Sequence, residues 1–200
     1  MRKSVHTPDY QAFCELMTQA RRKAGLHPVP RPREFDPNAG SGPDPGDTTH
    51  LNSVYEESGT VFVGGRLLGH LLAMREGTVR SHARIPFGSH NARPHLDGVL
   101  MNHTQSDRIA FLDRRGRVRK SFPLPSYDPK DLLYASLPED QARQAFGRGL
   151  TVLTDGRIVG GSSPSTVSLY RFEPPELVTS VTLTMDVRNA IHGLEVWPFD

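Results

Sequence analysis

Three histidines stand at matching points of a recurring phrase. His50 lies in Thr49-His50-Leu51-Asn52, His90 in Ser89-His90-Asn91-Ala92-Arg93, and His192 in Ala190-Ile191-His192-Gly193-Leu194-Glu195. His50 and His90 are 40 positions apart. Neutral imidazole is a good ligand for Zn, Fe, Mn or Cu. Imidazoles converging from three strands would hold a divalent metal, the one cofactor the sequence suggests, and would let it activate a water. Glu195 would then serve as the base. Arg93 and Arg148 offer guanidinium forks that match a carboxylate, and Asn52 adds a polar contact to substrate. Each residue also has a structural reading. A histidine ring N–H can bond backbone of a neighbouring unit, and Arg93 and Arg148 can pair with acids such as Asp97 or Asp186. Alternation imposes a condition as well: His90 and Asn91 point to opposite faces of a strand.

Other reactive residue types carry less. Cys14 is the single cysteine, so no intrachain disulfide forms, and it reads as a small apolar residue on a helix. His95 and His103 fall near strand ends. Gly64-Gly65 and Gly160-Gly161 lack the Lys-Ser/Thr or the helix of a phosphate loop; close approach between strands accounts for them. Ser162-Ser163-Pro164-Ser165 has no GxSxG context for a serine nucleophile.

These residues need elements to hold them. From Thr49 onward the chain reads as short strands joined by tight turns. Thr49–Tyr55, Thr60–Val63, Leu67–Met74 and Thr78–Ile85 make a first group of four, turning at Ser58-Gly59 and Arg75-Glu76-Gly77. His90–Arg93, Val99–Asn102, Arg108–Asp113 and Arg117–Phe122 repeat the plan, with turns at Asp97-Gly98 and Arg114-Arg115-Gly116. Gly147–Leu153, Arg157–Gly161, Thr166–Phe172 and Leu177–Leu183 repeat it again. An insertion over 124–146 carries an expected short helix at Pro138–Ala145. Residues 190–197 read as the first strand of a further unit. Four antiparallel strands at a period near 40 residues are expected of β-propeller blades.

The phrases GSHNARPHLDGVLMNHT, FGRGLTVLTDGRIVGGSSPSTVSLY and RNAIHGLEVWP resemble the closing blades of an uncharacterised bacterial six-bladed β-propeller family. That family is distantly similar to gluconolactonase-like and NHL-type propellers. The resemblance covers Thr49 to Pro198 and implies a fold, but carries no established catalytic residue with it. The expected architecture is all-β: a β-propeller-like array of about three four-stranded blades, over about 48–86, 87–123 and 147–184, with a closing strand at 190–197. Residues 1–47 form an arm, with a helix over Asp9–Gly25 capped at Gly25 and a Pro- and Gly-rich loop over Asn38–Asp47. Three blades do not close a ring that needs four to eight, so the sequence suggests missing N-terminal blades, a homodimer that completes the ring, or an open arc covered by the N-terminal arm.

Composition narrows the function. The chain of 200 residues has 36% hydrophobic residues, 18 Gly and 17 Pro, which favours turns and short strands. A formal charge of +2 with dispersed arginines gives no footprint for nucleic acid. No apolar run reaches the length of a membrane span, and no apolar segment follows Arg2-Lys3 as in a leader; a soluble, cytoplasmic protein is expected. Two functions remain. One is a binding module for a ligand or protein. The other is a metal-dependent hydrolase or lyase acting on a small polar substrate at the propeller axis.

Overall fold

A computed structural model describes residues 49–138 and 142–197, with four further positions, Glu15, Thr18, Gln19 and Arg22. Twelve strands form three four-stranded antiparallel sheets. The first sheet contains β1 (Leu51–Glu57), β2 (Thr60–Gly65), β3 (His70–Arg75) and β4 (Thr78–Arg84), paired in chain order. The second contains β5 (Ser89–His95), β6 (Gly98–His103), β7 (Arg108–Asp113) and β8 (Val118–Pro123). The third contains β9 (Gly149–Val152), β10 (Ile158–Ser162), β11 (Thr166–Arg171) and β12 (Glu176–Thr182). Each sheet is a meander that begins on its inner strand, so the chain is a partial, propeller-like array of three blades.

Local chemistry sets the turns. Ser58-Gly59 and Glu76-Gly77 both have positive φ at each residue, the backbone that a two-residue hairpin turn with matching twist demands. In the next blade Asp113 Oδ1 accepts the backbone N–H of Arg115 and of Arg117, each at 3.0 Å. Asp155 does the same for Arg157. These Asx turns fix the corner without a second positive-φ residue.

Side-chain alternation builds the core. Val99, Met101, Ala110 and Leu112 of the second blade pack on Phe62, Leu71, Ala73 and Ala83 of the first. Leu100, Ile109, Phe111 and Phe122, on the opposite face, pack on Leu150, Ile158 and Tyr170 of the third. The middle blade is therefore apolar on both faces and buried between its neighbours. Burial of each Val, Leu, Ile, Phe or Met side chain among them contributes about 1.5–3 kcal/mol. Ring contacts continue the second interface: Phe111 and Phe172 lie 5.3 Å apart, nearly perpendicular.

The paired glycines serve close approach. A Cβ on Gly64 would sit 2.4 Å from Ser53 Oγ and 3.3 Å from the Ala92 side chain of the next blade. One on Gly160 would sit 2.5 Å from Ile109 Cδ1 of the previous blade. Asparagines then tie neighbouring blades together. Asn52 Nδ2 donates to the Ser89 carbonyl at 2.9 Å, and Asn102 Nδ2 to the Gly149 carbonyl at 3.0 Å.

Two segments differ from the sequence expectation. Residues 190–197 form no strand. They lie over the third blade, with Ile191 against Gly161 and Leu194 against Gly149, and end at an exposed Trp197. The expected helix at Pro138–Ala145 falls partly on 139–141, outside the described residues, and 142–145 are irregular. Elsewhere the insertion holds one turn of 3-10 helix, Pro129–Asp131. It also carries Tyr127, whose hydroxyl meets Thr166 and Thr182 at 3.0 and 2.6 Å. The expected helix at Asp9–Gly25 and the loop at Asn38–Asp47 lie outside the described residues, the four positions named above excepted. No helix among the described residues is long and apolar enough to cross a membrane.

Candidate functional site

The inner strands β1, β5 and β9 all run in the same sense, so their first residues share one end of the array. His50 immediately precedes β1, His90 is the second residue of β5, and Arg148 immediately precedes β9. The His50 and His90 rings lie 5.7 Å apart, edge to face. His90 meets Phe146 at 5.7 Å, and the Arg148 guanidinium carbon lies 4.7 Å from the Phe146 ring centre. Arg148 Nη1 in turn lies 3.2 and 3.3 Å from the two nitrogens of His192. The result is a continuous row: His50, His90, Phe146, Arg148, His192.

Arg66 joins this group. Its backbone N–H donates to the His50 carbonyl at 2.9 Å, directly after the Gly64-Gly65 pair. Its charge acts on both His90 and Arg148. The electrostatics run one way. Burial holds His90 down to about 4, with the positive fields of Arg148, His50 and Arg66 adding to the effect against its bond to Gly88. His90 Nδ1 lies 3.4 Å from the Gly88 carbonyl, which can only accept, so this nitrogen carries the proton of a neutral ring. Burial, then Arg148, lowers the pKa of His192. Burial, then Arg66, lowers that of Arg148.

No carboxylate pairs with Arg148 or Arg66 among the described residues. Arg148 Nε is buried and has no hydrogen-bond partner there. A half-buried guanidinium without an acid is costly, because its desolvation is not offset. Asp186, one of the acids named as a structural partner, is taken by Arg188 at 2.6 Å.

The structure thus brings His50, His90, Arg148 and His192 to one rim, and separates the rest. Among the described residues, no group of three His, Cys, Asp or Glu side chains is placed to hold a metal ion. Glu195 accepts from Thr151 Oγ1 at 3.2 Å and from the Val196 N–H, away from the histidines. Asn52 is engaged by Ser89 as described. Arg93 lies toward the far end of β5, where Nη1 donates to Thr151 Oγ1 at 3.2 Å. Arg66 and Phe146 were not singled out from the sequence. Arg66 follows a glycine pair whose turn gives no hint of charge placement, and Phe146 reads there only as the residue before the third strand group.

No protein-family model matches the chain, and no curated protein matches it. Solved structures do. A virginiamycin B lyase from Staphylococcus aureus is similar at 12% identity, over 68% of this chain and 42% of that one, with a TM-score of 0.43. The WD40 β-propeller domain of Doa1 is similar at 15% identity, over 73% of this chain and 46% of that one, with a TM-score of 0.46. A streptogramin B lyase is similar at 14% identity, over 60% and 40%, with a TM-score of 0.34. This chain spans less than half the length of each.

Proposed function

We propose that this protein is a propeller-type binding module whose leading rim takes a small oxyanion, a carboxylate or phosphate group, on Arg148. One observation carries the reading: Arg148 is half-buried, stacked on Phe146 and flanked by Arg66, with no acid among the described residues to neutralise it. An oxyanion there would accept from Nε, which has no partner among the described residues, and from Nη2 in a bidentate fork. The arriving negative charge would raise the pKa of His90, which burial holds down in the empty rim.

The metal-dependent hydrolase or lyase reading demands more change. His192 would have to leave Arg148 and join His50 and His90, and Glu195 would have to leave Thr151. Binding of an anion needs no such rearrangement.

Calorimetric titration with inorganic phosphate and with succinate, at fixed ionic strength, tests the proposal. The wild-type protein should saturate with at least one of them. Arg148→Met, which keeps the contact with Phe146, should weaken it about 10- to 100-fold, the worth of a charge-assisted hydrogen bond. The same substitution should raise the melting temperature of ligand-free protein by about 2–4 °C, as removal of an uncompensated charge worth about 1 kcal/mol would. Equal affinity in wild type and variant would refute the site.

A further inference from the structure

The inner strands have a second end. There the last residues of β1, β5 and β9 surround a cavity of about 300 Å³. Its walls include Tyr55 and Glu57 of β1, Arg93 and His95 of β5, Leu96 just beyond, and Val152 of β9. Ligand sites span about 300–1,000 Å³, so this one suits a small molecule.

Arg93 is held ready in it. Its guanidinium carbon lies 4.0 Å from the centre of the Tyr55 ring, which fixes the plane of the fork. Nη1 is given to Thr151. Nε and Nη2 have no acceptor among the described residues. Glu57 lines the same space and is in no ion pair among the described residues, with Arg93 or otherwise. His95 adds a ring nitrogen, Nε2, that is buried and unbonded there, on a ring set edge-on to Phe111 and Phe172. A cation and an anion with no ion-pair partner among the described residues therefore face one small, mainly polar cavity, to which Pro94, Leu96 and Val152 add apolar side chains.

We propose that this cavity binds a small zwitterion of the α-amino-acid class, with its carboxylate on Arg93, its ammonium on Glu57 and its side chain against Leu96 and Val152. A ligand carrying both charges satisfies both walls, whereas a simple anion leaves Glu57 facing it and is repelled. This separates the cavity from the rim around Arg148, which holds two arginines and no paired carboxylate among the described residues.

Titration of whole-chain Arg148→Met, whose rim no longer offers a fork to a carboxylate, with L-phenylalanine and L-alanine tests the assignment, with the wild-type chain alongside. The controls are N-acetyl-L-phenylalanine, which lacks the ammonium, and L-phenylalaninamide, which lacks the carboxylate. At least one of the two zwitterions should bind, and both controls should bind at least about tenfold more weakly than L-phenylalanine, the loss of one charge-assisted contact. Glu57→Gln, at an exposed position that folding tolerates, should cost a similar factor for the zwitterion and leave the acetylated control unchanged or improved. Arg148→Met should leave amino-acid binding intact, which separates this cavity from the phosphate-binding rim. Binding of neither zwitterion at millimolar concentration, or equal binding of N-acetyl-L-phenylalanine, would overturn the proposal whatever phosphate does.

Discussion

At the scale of single residues, His90 is the group whose charge state matters most. Its folded pKa of about 4 lies well below the ordinary value near 6.5. Between those two values the unfolded chain binds a proton that the folded chain refuses. The contribution to stability is therefore complete above pH 6.5 and is lost as pH falls through the window to 4. Urea midpoints at pH 7 and pH 4 should reveal a loss of about 2 kcal/mol in wild type that His90→Gln lacks. The other histidines with lowered pKa values contribute in the same direction, so the difference between the two proteins is the quantity that decides. A pH response identical in both would mean that His90 is solvated. Which residues gather at the rim was only half legible in the sequence. The repeat put His50, His90 and Arg148 near strand starts, and they meet there. The metal constellation depended on a strand at 190–197 that does not form. His192 reaches the rim on an unpaired segment and lands on Arg148.

At the scale of elements, the strands were legible because they are short and joined by tight turns, most of them containing Gly or Asp. Where a bulge intervenes, counting fails. The register of β5 shifts between His90 and Arg93, with Asn91 at positive φ, so simple alternation across that phrase misassigns faces. The glycine pairs were read as points of close approach, and the distances agree. Gly160→Ala should cost about 1–3 kcal/mol, because its methyl must displace Ile109 within a packed interface. Gly156→Ala meets nothing within 4 Å but carries φ of +83°, so its cost, about 1 kcal/mol, comes from backbone strain alone. Denaturant unfolding of the two variants distinguishes the causes. Replacing Ile109 with Val should recover part of the first loss and none of the second. Equal recovery in both would place Gly160 outside the interface.

At the scale of the whole molecule, the middle blade is enclosed and the outer two are each covered on one face by it. The strands reflect that order: β6 and β7 carry buried apolar residues at consecutive positions, whereas β12 is exposed along nearly its full length. The course of the last segment was not readable, since its apolar residues Ile191, Leu194 and Val196 suit a strand, yet Ile191 and Leu194 cover Gly161 and Gly149 without one. The segment also carries the single tryptophan, and Trp197 is 76% exposed. The indole thus reports on the tail and not on the core. Its emission should already be that of a water-exposed ring in the native protein, and should change little across the thermal transition that far-ultraviolet dichroism records. A large spectral shift coincident with that transition would show the indole to be sheltered in the native state. For optical work on this molecule, the buried Tyr170 between the second and third blades is the better-placed native chromophore, and a tryptophan introduced there in its stead would turn a silent interface into a visible one.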